Sequence, residues 1–417
     1  MRILNVSSLY PPNVVGGAEM GLKTMSDAMA LLGHEMHVAT LQPPEGTGQQ
    51  HAPMNGRVHV HAVPLANIYW PFDRSGNPRT QMQKIAWHSI DTSNEIMARR
   101  VADIVRRVRP HVVLTRNLQG FSTAVMPAIK RTGVPLVHVL HDYSLLCPQT
   151  TMWRNGRGCG SGNNRCGGCR LLTSPRARHT RAVDAVIGVS RSVLQSHLDH
   201  GLFAEKPNQV IYNALRPNLG IRPSVRRRSP AEAATFGFLG RLEPSKGIET
   251  LLEAAASLEQ AGVKFRLKIA GNAEPDYLRH LQATWPLATV DYLGFVEAGD
   301  FLHSIDALVF PSVWKEALGN GVFEAFSQGT PVIGSDRGGI PESIDEGVTG
   351  FVFAGGDVDA LRGRMMRLVE EPSLIETLGE NALTKAAEFR AESRAHEYLS
   401  FLDTVASLPV LAGRADR

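Results

Sequence analysis

The stretch Ile3-Leu-Asn-Val-Ser-Ser-Leu-Tyr-Pro-Pro-Asn-Val-Val-Gly-Gly17, with the run to Met36-His-Val-Ala-Thr40 behind it, decides the fold. Residues 3–6 form a short apolar run of strand length, closed by Pro11 and Pro12. After Gly16-Gly17 the apolar residues Met20, Leu22, Met25, Met29 and Leu32 recur at helical spacing until Gly33 stops them. A second strand is predicted over 36–40. Strand, glycine turn, helix and strand in this order open a doubly wound α/β domain with a parallel sheet.

The alternation continues outward. Residues 43–57, rich in Pro, Gly, Gln and His, read as a surface loop. One long helix is predicted over 81–109, with Met97, Val101, Ile104, Val105 and Val108 at helical spacing and five arginines between 99 and 109 on a solvated face or, alternatively, on a face toward an acidic or membrane surface. Strands follow at 112–115, 134–140 and 185–189. Near Asn213 the texture changes: Pro217, Pro223, Pro230 and the run Arg226-Arg-Arg228 have the composition of a linker. Behind it a second alternation places strands at 235–239, 265–270, 290–293, 307–310, 331–334 and 351–353. The expected division is an N-terminal domain over 1–215 with a four-cysteine loop at 147–169, a linker over 216–234, a C-terminal domain over 235–390, and a helix and tail over 391–417. Two such α/β halves place a ligand at their sheets' carboxyl edges, in the cleft between them.

Composition narrows the class. The chain has 417 residues, and Lys plus Arg exceeds Asp plus Glu by only 44 to 40, too small a surplus to argue for nucleic acid. No run approaches the ~18 apolar residues of a membrane-spanning helix, and the start lacks the apolar core of a secretory signal. The expected compartment is the cytoplasm, with the inner face of the cell membrane as an added contact. All four cysteines, Cys147, Cys159, Cys166 and Cys169, fall in one segment. In a reducing compartment that clustering favours a metal site over disulfides.

Four constellations carry chemistry. Gly16-Gly17 precedes the first helix, whose N-terminal amides suit a phosphate or sugar hydroxyl. Arg241 and Lys246, in Gly240-Arg-Leu-Glu-Pro-Ser-Lys-Gly247, follow a predicted strand. Two cations there suit a diphosphate, Arg as a planar fork and Lys as a point charge. The stretch Pro311-Ser-Val-Trp-Lys-Glu-Ala-Leu-Gly-Asn-Gly-Val-Phe-Glu324 holds Glu316 and Glu324 with seven residues between. Gly319 and Gly321 open a helix there, so backbone amides can face an anion. Counted as helix, the eight residues rise about 12 Å, so the two carboxylates bind separate parts of one elongated ligand. A sugar nucleotide has that shape. Finally, His141-Asp142 ends a predicted strand, where a polar pair can meet a sugar.

These residues together resemble the family 4 glycosyltransferases. The resemblance rests on Tyr10-Pro-Pro…Gly-Gly-Ala-Glu19, Gly237-Phe-Leu-Gly-Arg-Leu…Lys-Gly247, Ile269-Ala-Gly271, Leu293-Gly-Phe-Val296, the Glu316–Glu324 stretch and Gly329-Thr-Pro-Val-Ile…Gly338-Gly-Ile-Pro-Glu342. It implies the glycosyltransferase-B architecture: two Rossmann-like doubly wound domains facing each other across a cleft. It further implies transfer of a hexose from a nucleotide-diphosphate sugar, with retention of configuration, to a glycan, lipid-linked or small-molecule acceptor. No cofactor is required for that catalysis. By the same resemblance Arg241 and Lys246 neutralise the diphosphate, and Glu316 holds the hexose with amides of Ala317, Leu318, Gly319 and Asn320. Glu324 accepts from the ribose, Val296 meets the base through its backbone, His141 lies near the donor sugar, and Gly16 and Gly17 lie against the ligands. The chain departs from the family pattern at Ala317-Leu318-Gly319, where Gly-Phe-Gly is usual, and at Asn213-Ala214, where Asn-Gly is usual.

Four thiolates suit a structural zinc, and Cys166-Gly-Gly-Cys169 is a half-site of the usual spacing. An iron–sulfur cluster, redox thiols or no metal are the alternatives. Arg165, Arg170, Arg176, Arg178 and Arg181 beside it suit an anionic acceptor or lipid headgroups, and so a peripheral membrane contact. Two rival functions are a sugar-nucleotide epimerase of similar fold and a zinc-knuckle nucleic-acid-binding protein. The second explains only residues 147–181, and no nucleic-acid partner is expected.

Overall fold

The computed structural model describes residues 1–44, 57–73, 79–154, 156–159, 167–226 and 232–407. Contacts divide the chain into two units. One gathers Met1–Met152, Cys159–Ala214 and the C-terminal segment from Ala391; the other holds Leu215–Arg390 with Trp153–Gly158.

The first unit is built on β1 (Arg2–Val6), α1 (Gly17–Leu31), β2 (Glu35–Gln42), β3 (Val58–Pro64), α2 (Gln81–Thr92), α3 (Glu95–Val108), β4 (Val112–Thr115), α4 (Val125–Lys130) and β5 (Leu136–Leu140). A short antiparallel pair follows, β6 (Trp153–Arg154) with β7 (Arg157–Gly158). Then come α5 (Gly167–His179), β8 (Ala185–Gly188), α6 (Arg191–Asp199) and β9 (Asn208–Val210). The seven-stranded sheet runs β3-β2-β1-β4-β5-β8-β9, and every pairing in it is parallel. As a central strand, β1 is covered on both faces, with Ile3, Leu4 and Val6 fully buried. The edge strands β3 and β9 go beyond the sequence expectation. Both are only partly buried, so the apolar run that marks a central strand is missing.

The single helix expected over 81–109 is two helices. Asn94 breaks it: its side chain accepts from Met97 N at 3.1 Å, capping α3, and donates to Ala66 O at 2.7 Å. Ser and Asn side chains compete with the helical backbone in this way and favour caps over interiors.

The second unit contains β10 (Ala234–Leu239), α7 (Ile248–Gln260), β11 (Phe265–Ala270), α8 (Pro275–Thr284), β12 (Val290–Gly294), α9 (Ala298–His303), β13 (Ala307–Phe310) and α10 (Gly321–Ser327). It continues through β14 (Val332–Ser335), β15 (Gly350–Phe353), α11 (Val358–Glu370) and α12 (Pro372–Ala386). Its parallel sheet runs β12-β11-β10-β13-β14-β15. Phe236, Ile248, Leu251, Leu252, Leu267 and Leu361 pack as one core between sheet and helices. The last helix, α13 (Ala391–Ala406), packs on α1 and so belongs to the first unit. No described helix is long and apolar enough to cross a membrane.

Candidate functional site

In the second unit the strand order reverses between β10 and β13. Loops leaving two such strands diverge to opposite faces of the sheet, which opens a crevice at their carboxyl ends. A cavity of about 440 Å³ lies there, within the range of small-molecule sites. Arg241 lines it after β10, Phe310 at the end of β13, Gly321 and Glu324 from α10, and Val296 after β12.

Lys246 ends a tight turn, Pro244–Lys246, behind β10. Gly247 follows with φ of 71°, and a Cβ on it would lie 1.9 Å from the Pro311 carbonyl oxygen. Only glycine permits both the left-handed angle and that approach. The β10 and β13 loops therefore touch, and Lys246 Nζ sits 2.6 Å from Glu316 Oε1. Ser312 Oγ and Trp314 Nε1 donate to the same oxygen, each at 2.9 Å. The Trp314 ring also faces the Lys246 ammonium, 5.1 Å from its centroid. Three donors thus satisfy a buried carboxylate, as its burial requires.

The Glu316 backbone is held from the other side. Gly339 N–H donates to its carbonyl at 2.9 Å. Gly338, at φ of 65°, approaches so closely that a Cβ would meet the Glu316 oxygen at 2.0 Å. Gly338→Ala is expected to cost about 2–3 kcal/mol from strain and overpacking, read as a lowered thermal unfolding midpoint. An unchanged midpoint would show that this loop does not set the Glu316 backbone.

The glycines open the helix as expected, but the count of helical rise from Glu316 to Glu324 needs correction. Gly319, at φ of 85°, turns the chain, and α10 begins only at Gly321, so Glu316 lies in the loop before it. The 12 Å of helical rise therefore does not apply, although the two carboxylates do take different partners. Glu324 is buried, and Arg216 grips it as a fork, Nε to Oε1 and Nη2 to Oε2, both at 2.9 Å. Burial raises the Glu324 pKa, and the Arg216 charge and hydrogen bonds oppose that rise. Leu318 is buried in the core, so only its backbone is available to a ligand.

Arg241 differs from Lys246. Its side chain is 74% exposed, and its nearest carboxylate, Glu243, is 3.5 Å away. It is an exposed cation on the rim, whereas Lys246 is held by Glu316.

The remaining expected residues lie in the first unit. His141 follows β5, and its Nε2 accepts from Arg116 Nη1 at 2.6 Å, while Arg116 Nε donates to Asn5 Oδ1 on β1 at 3.2 Å. Desolvation first, then the charge of Arg116, holds His141 well below the ordinary histidine range, so the ring is neutral and its Nε2 is an acceptor. Gly16 and Gly17 begin α1 as expected, but the Gly16 amide is taken: it donates to Glu19 Oε2 at 2.8 Å. Of the cysteines, Cys147 is buried and Cys159 and Cys169 are partly exposed, while Cys166 lies outside the described residues. Among the described residues no three His, Cys, Asp or Glu side chains are grouped to hold a metal, so the zinc expectation gains no support.

Sequence reasoning missed Arg216, Trp314, Ser312 and Arg116. Trp314 and Ser312 precede Glu316 by two and four positions, within reach of local inspection. Arg216 and Arg116 meet their partners only through the fold.

The site has the form of a ligand crevice in a Rossmann-like unit, and the comparisons place the whole chain. Solved structures match nearly its full length. Sucrose-phosphate synthase from Thermosynechococcus elongatus has a TM-score of 0.74 at 18% identity, covering 98% of this chain and 100% of that one. HepE from Anabaena, solved in complex with UDP, has a TM-score of 0.71 at 20% identity, covering 97% and 100%. At these identities the likeness is one of fold, the two-domain glycosyltransferase-B fold. In sequence, the Glycosyltransferase Family 4 model matches residues 15–219 and the Glycosyl transferases group 1 model matches residues 224–385. The chain belongs to glycosyltransferase family 4. A relative described as an uncharacterized 42.6 kDa protein in the cps region of Klebsiella pneumoniae is 28% identical over 342 residues, covering 82% of this chain and 87% of that protein.

Proposed function

We propose that the protein is a retaining hexosyltransferase that uses a nucleotide-diphosphate sugar and a hydroxyl of a glycan, lipid-linked or small-molecule acceptor. One observation carries the reading: a lysine ammonium held 2.6 Å from a buried glutamate, at the strand-order reversal that also bears a ligand-sized cavity. The presence of UDP in the complex of the similarly folded HepE supports a nucleotide as the donor's handle.

In this reading Lys246 and Arg241 meet the diphosphate. As the anomeric carbon–oxygen bond breaks, negative charge grows on the departing phosphate oxygen, and the two cations, Lys246 above all because it is held in place, stabilise it more than the ground state. Glu316 accepts from a hexose hydroxyl, beside the amides from Ala317 to Asn320. Val296 offers its backbone to the base. Glu324 accepts from the ribose: a carboxylate has about four lone-pair sites, and Arg216 uses two, which leaves capacity for two hydroxyls. The neutral His141 suits a hydrogen-bonding role near the sugar, since a second cation there would oppose the developing positive charge. The acceptor hydroxyl attacks from the face that the diphosphate leaves and gives its proton to the departing phosphate oxygen, and retention follows.

The test is a thermal-stabilisation screen over nucleotide sugars, followed by NMR of the product's anomeric configuration. A donor at 100 times its dissociation constant adds about 2.7 kcal/mol. An isomerised donor formed without acceptor, or a product of inverted configuration, overturns the proposal. Because side-chain cations supply the positive charge at the diphosphate, activity is expected to survive an excess of EDTA. An absolute requirement for added Mg²⁺ or Mn²⁺ would overturn that assignment of Lys246 and Arg241.

A further inference from the structure

The arginines after the cysteine segment do not act as one group. Arg176 turns inward: it is buried, donates to Ser144 O at 2.5 Å and lies 4.0 Å from the buried Asp91. Arg170, Arg178 and Arg181 point the other way. Arg170, Ser174 and Arg178 follow one another at four-residue intervals on α5, and Arg181 comes three residues later in the turn Thr180–Ala182, so all four share one stripe. That stripe lines a cavity of about 650 Å³, whose facing wall is the segment from His200 to Lys206 after α6. Lys206 Nζ donates to the Arg181 carbonyl at 3.3 Å, which ties the two walls together.

The charge balance of this cavity is one-sided. Three guanidinium groups and one ammonium line it against a single carboxylate, Glu205. Among the described residues, no carboxylate lies within ion-pair distance of Arg170, Arg178 or Arg181. Cations in the last turn of a helix are ordinary, because they complement the helix dipole, and this would account for Arg178 and Arg181. It does not account for Arg170, which lies outside the last turn of α5. Nor does it account for Lys206, which reaches the same cavity from a different segment. Like charges gathered around one concavity repel one another, and an anion offsets that cost.

We propose that this cavity binds a phosphate-bearing ligand, with Arg178 and Arg181 as forks on its oxygens and Arg170 and Lys206 adding charge at the rim. Planar guanidinium groups match phosphate geometry with paired hydrogen bonds. The cavity is far larger than one phosphate, so the group is carried on a larger body that lies against Leu202 and Phe203. Its source is a soluble phosphoester or diphosphate, or the headgroup of an anionic lipid. The site lies wholly in the first unit, and its residues are distinct from those of the proposed donor site, so the two readings can fail separately.

Hydrogen-exchange mass spectrometry with pyrophosphate tests it locally. Protection is expected in peptides covering 170–182 and 200–206, and it should weaken as salt rises. Protection confined to 239–247 would report the donor site alone and would overturn this proposal. Flotation with phosphatidylcholine vesicles, with and without phosphatidic acid, distinguishes the sources: binding only to the acidic vesicles identifies a membrane-borne phosphate. Arg178→Ala and Arg181→Ala should each weaken whichever interaction is seen about tenfold. Both side chains are exposed, so an unchanged unfolding midpoint is expected, and Lys206→Ala probes the facing wall independently. Variants that bind as the parent does, or a parent that responds to neither probe, would overturn the site.

Discussion

Lys246→Ala is expected to lower turnover about 100-fold or more, the scale of losing one preorganised contact to transition-state charge. The effect should fall on turnover more than on donor affinity, because the charge that Lys246 meets grows as the diphosphate leaves. Glu316→Gln should produce a loss of similar size through misplacement of the same ammonium. It keeps the shape of the side chain, and Ser312 and Trp314 still have an oxygen to bond, so the fold survives. The double variant should be little worse than either single one, since the two groups act as a pair 2.6 Å apart. Steady-state kinetics on the three variants, beside circular dichroism melts, reads this directly. Full activity in either single variant would remove the pair from the chemistry.

Arg216→Ala should have a second large effect, and one that depends on pH. Glu324 is buried and its pKa is already raised, with Arg216 as the opposing influence. Removing Arg216 leaves that carboxylate without its fork and moves its pKa further up. A carboxyl whose folded pKa lies above its unfolded value favours folding when protonated, so its stability contribution is lost as pH rises through the folded pKa. The variant should therefore lose most stability at alkaline pH, about 3 kcal/mol, the low end for breaking a buried pair because Arg216 is partly exposed. At pH 5 the deficit should shrink, since Glu324 can then take up a proton. Donor affinity should move the opposite way: only the ionised carboxylate accepts from two hydroxyls, so the Michaelis constant for donor should climb as pH falls. A stability deficit that does not change with pH would mean that Arg216 acts through packing and not through the Glu324 charge.

Much of this protein is written locally along the chain. The turn at Gly16-Gly17, the apolar spacing from Met20 to Leu32 and the strand at Met36 follow from periodicity and backbone freedom, which act over a few residues. So do the second half's strands, the placing of Arg241, Lys246 and Glu316 in loops after strands, and that of Glu324 in a helix. The same local logic failed where one residue outweighed a pattern: Asn94 divided a helix that its apolar spacing made continuous.

Which charge meets which was decided only by the tertiary structure. Lys246 and Glu316 are 70 residues apart, and they meet because β10 and β13 are neighbours in the sheet and Gly247 lets their loops touch. Arg216, 108 residues from Glu324, reads in sequence as part of a linker and in space as that carboxylate's fork. The arginines of this segment look alike in sequence, yet Arg176 is buried against Asp91 while Arg170, Arg178 and Arg181 face a cavity; Arg165 lies outside the described residues. An amino-acid sequence prescribes local geometry through short-range sterics and spacing. The energy of a charge depends on burial and on partners, and both are set by the order in which distant strands pair.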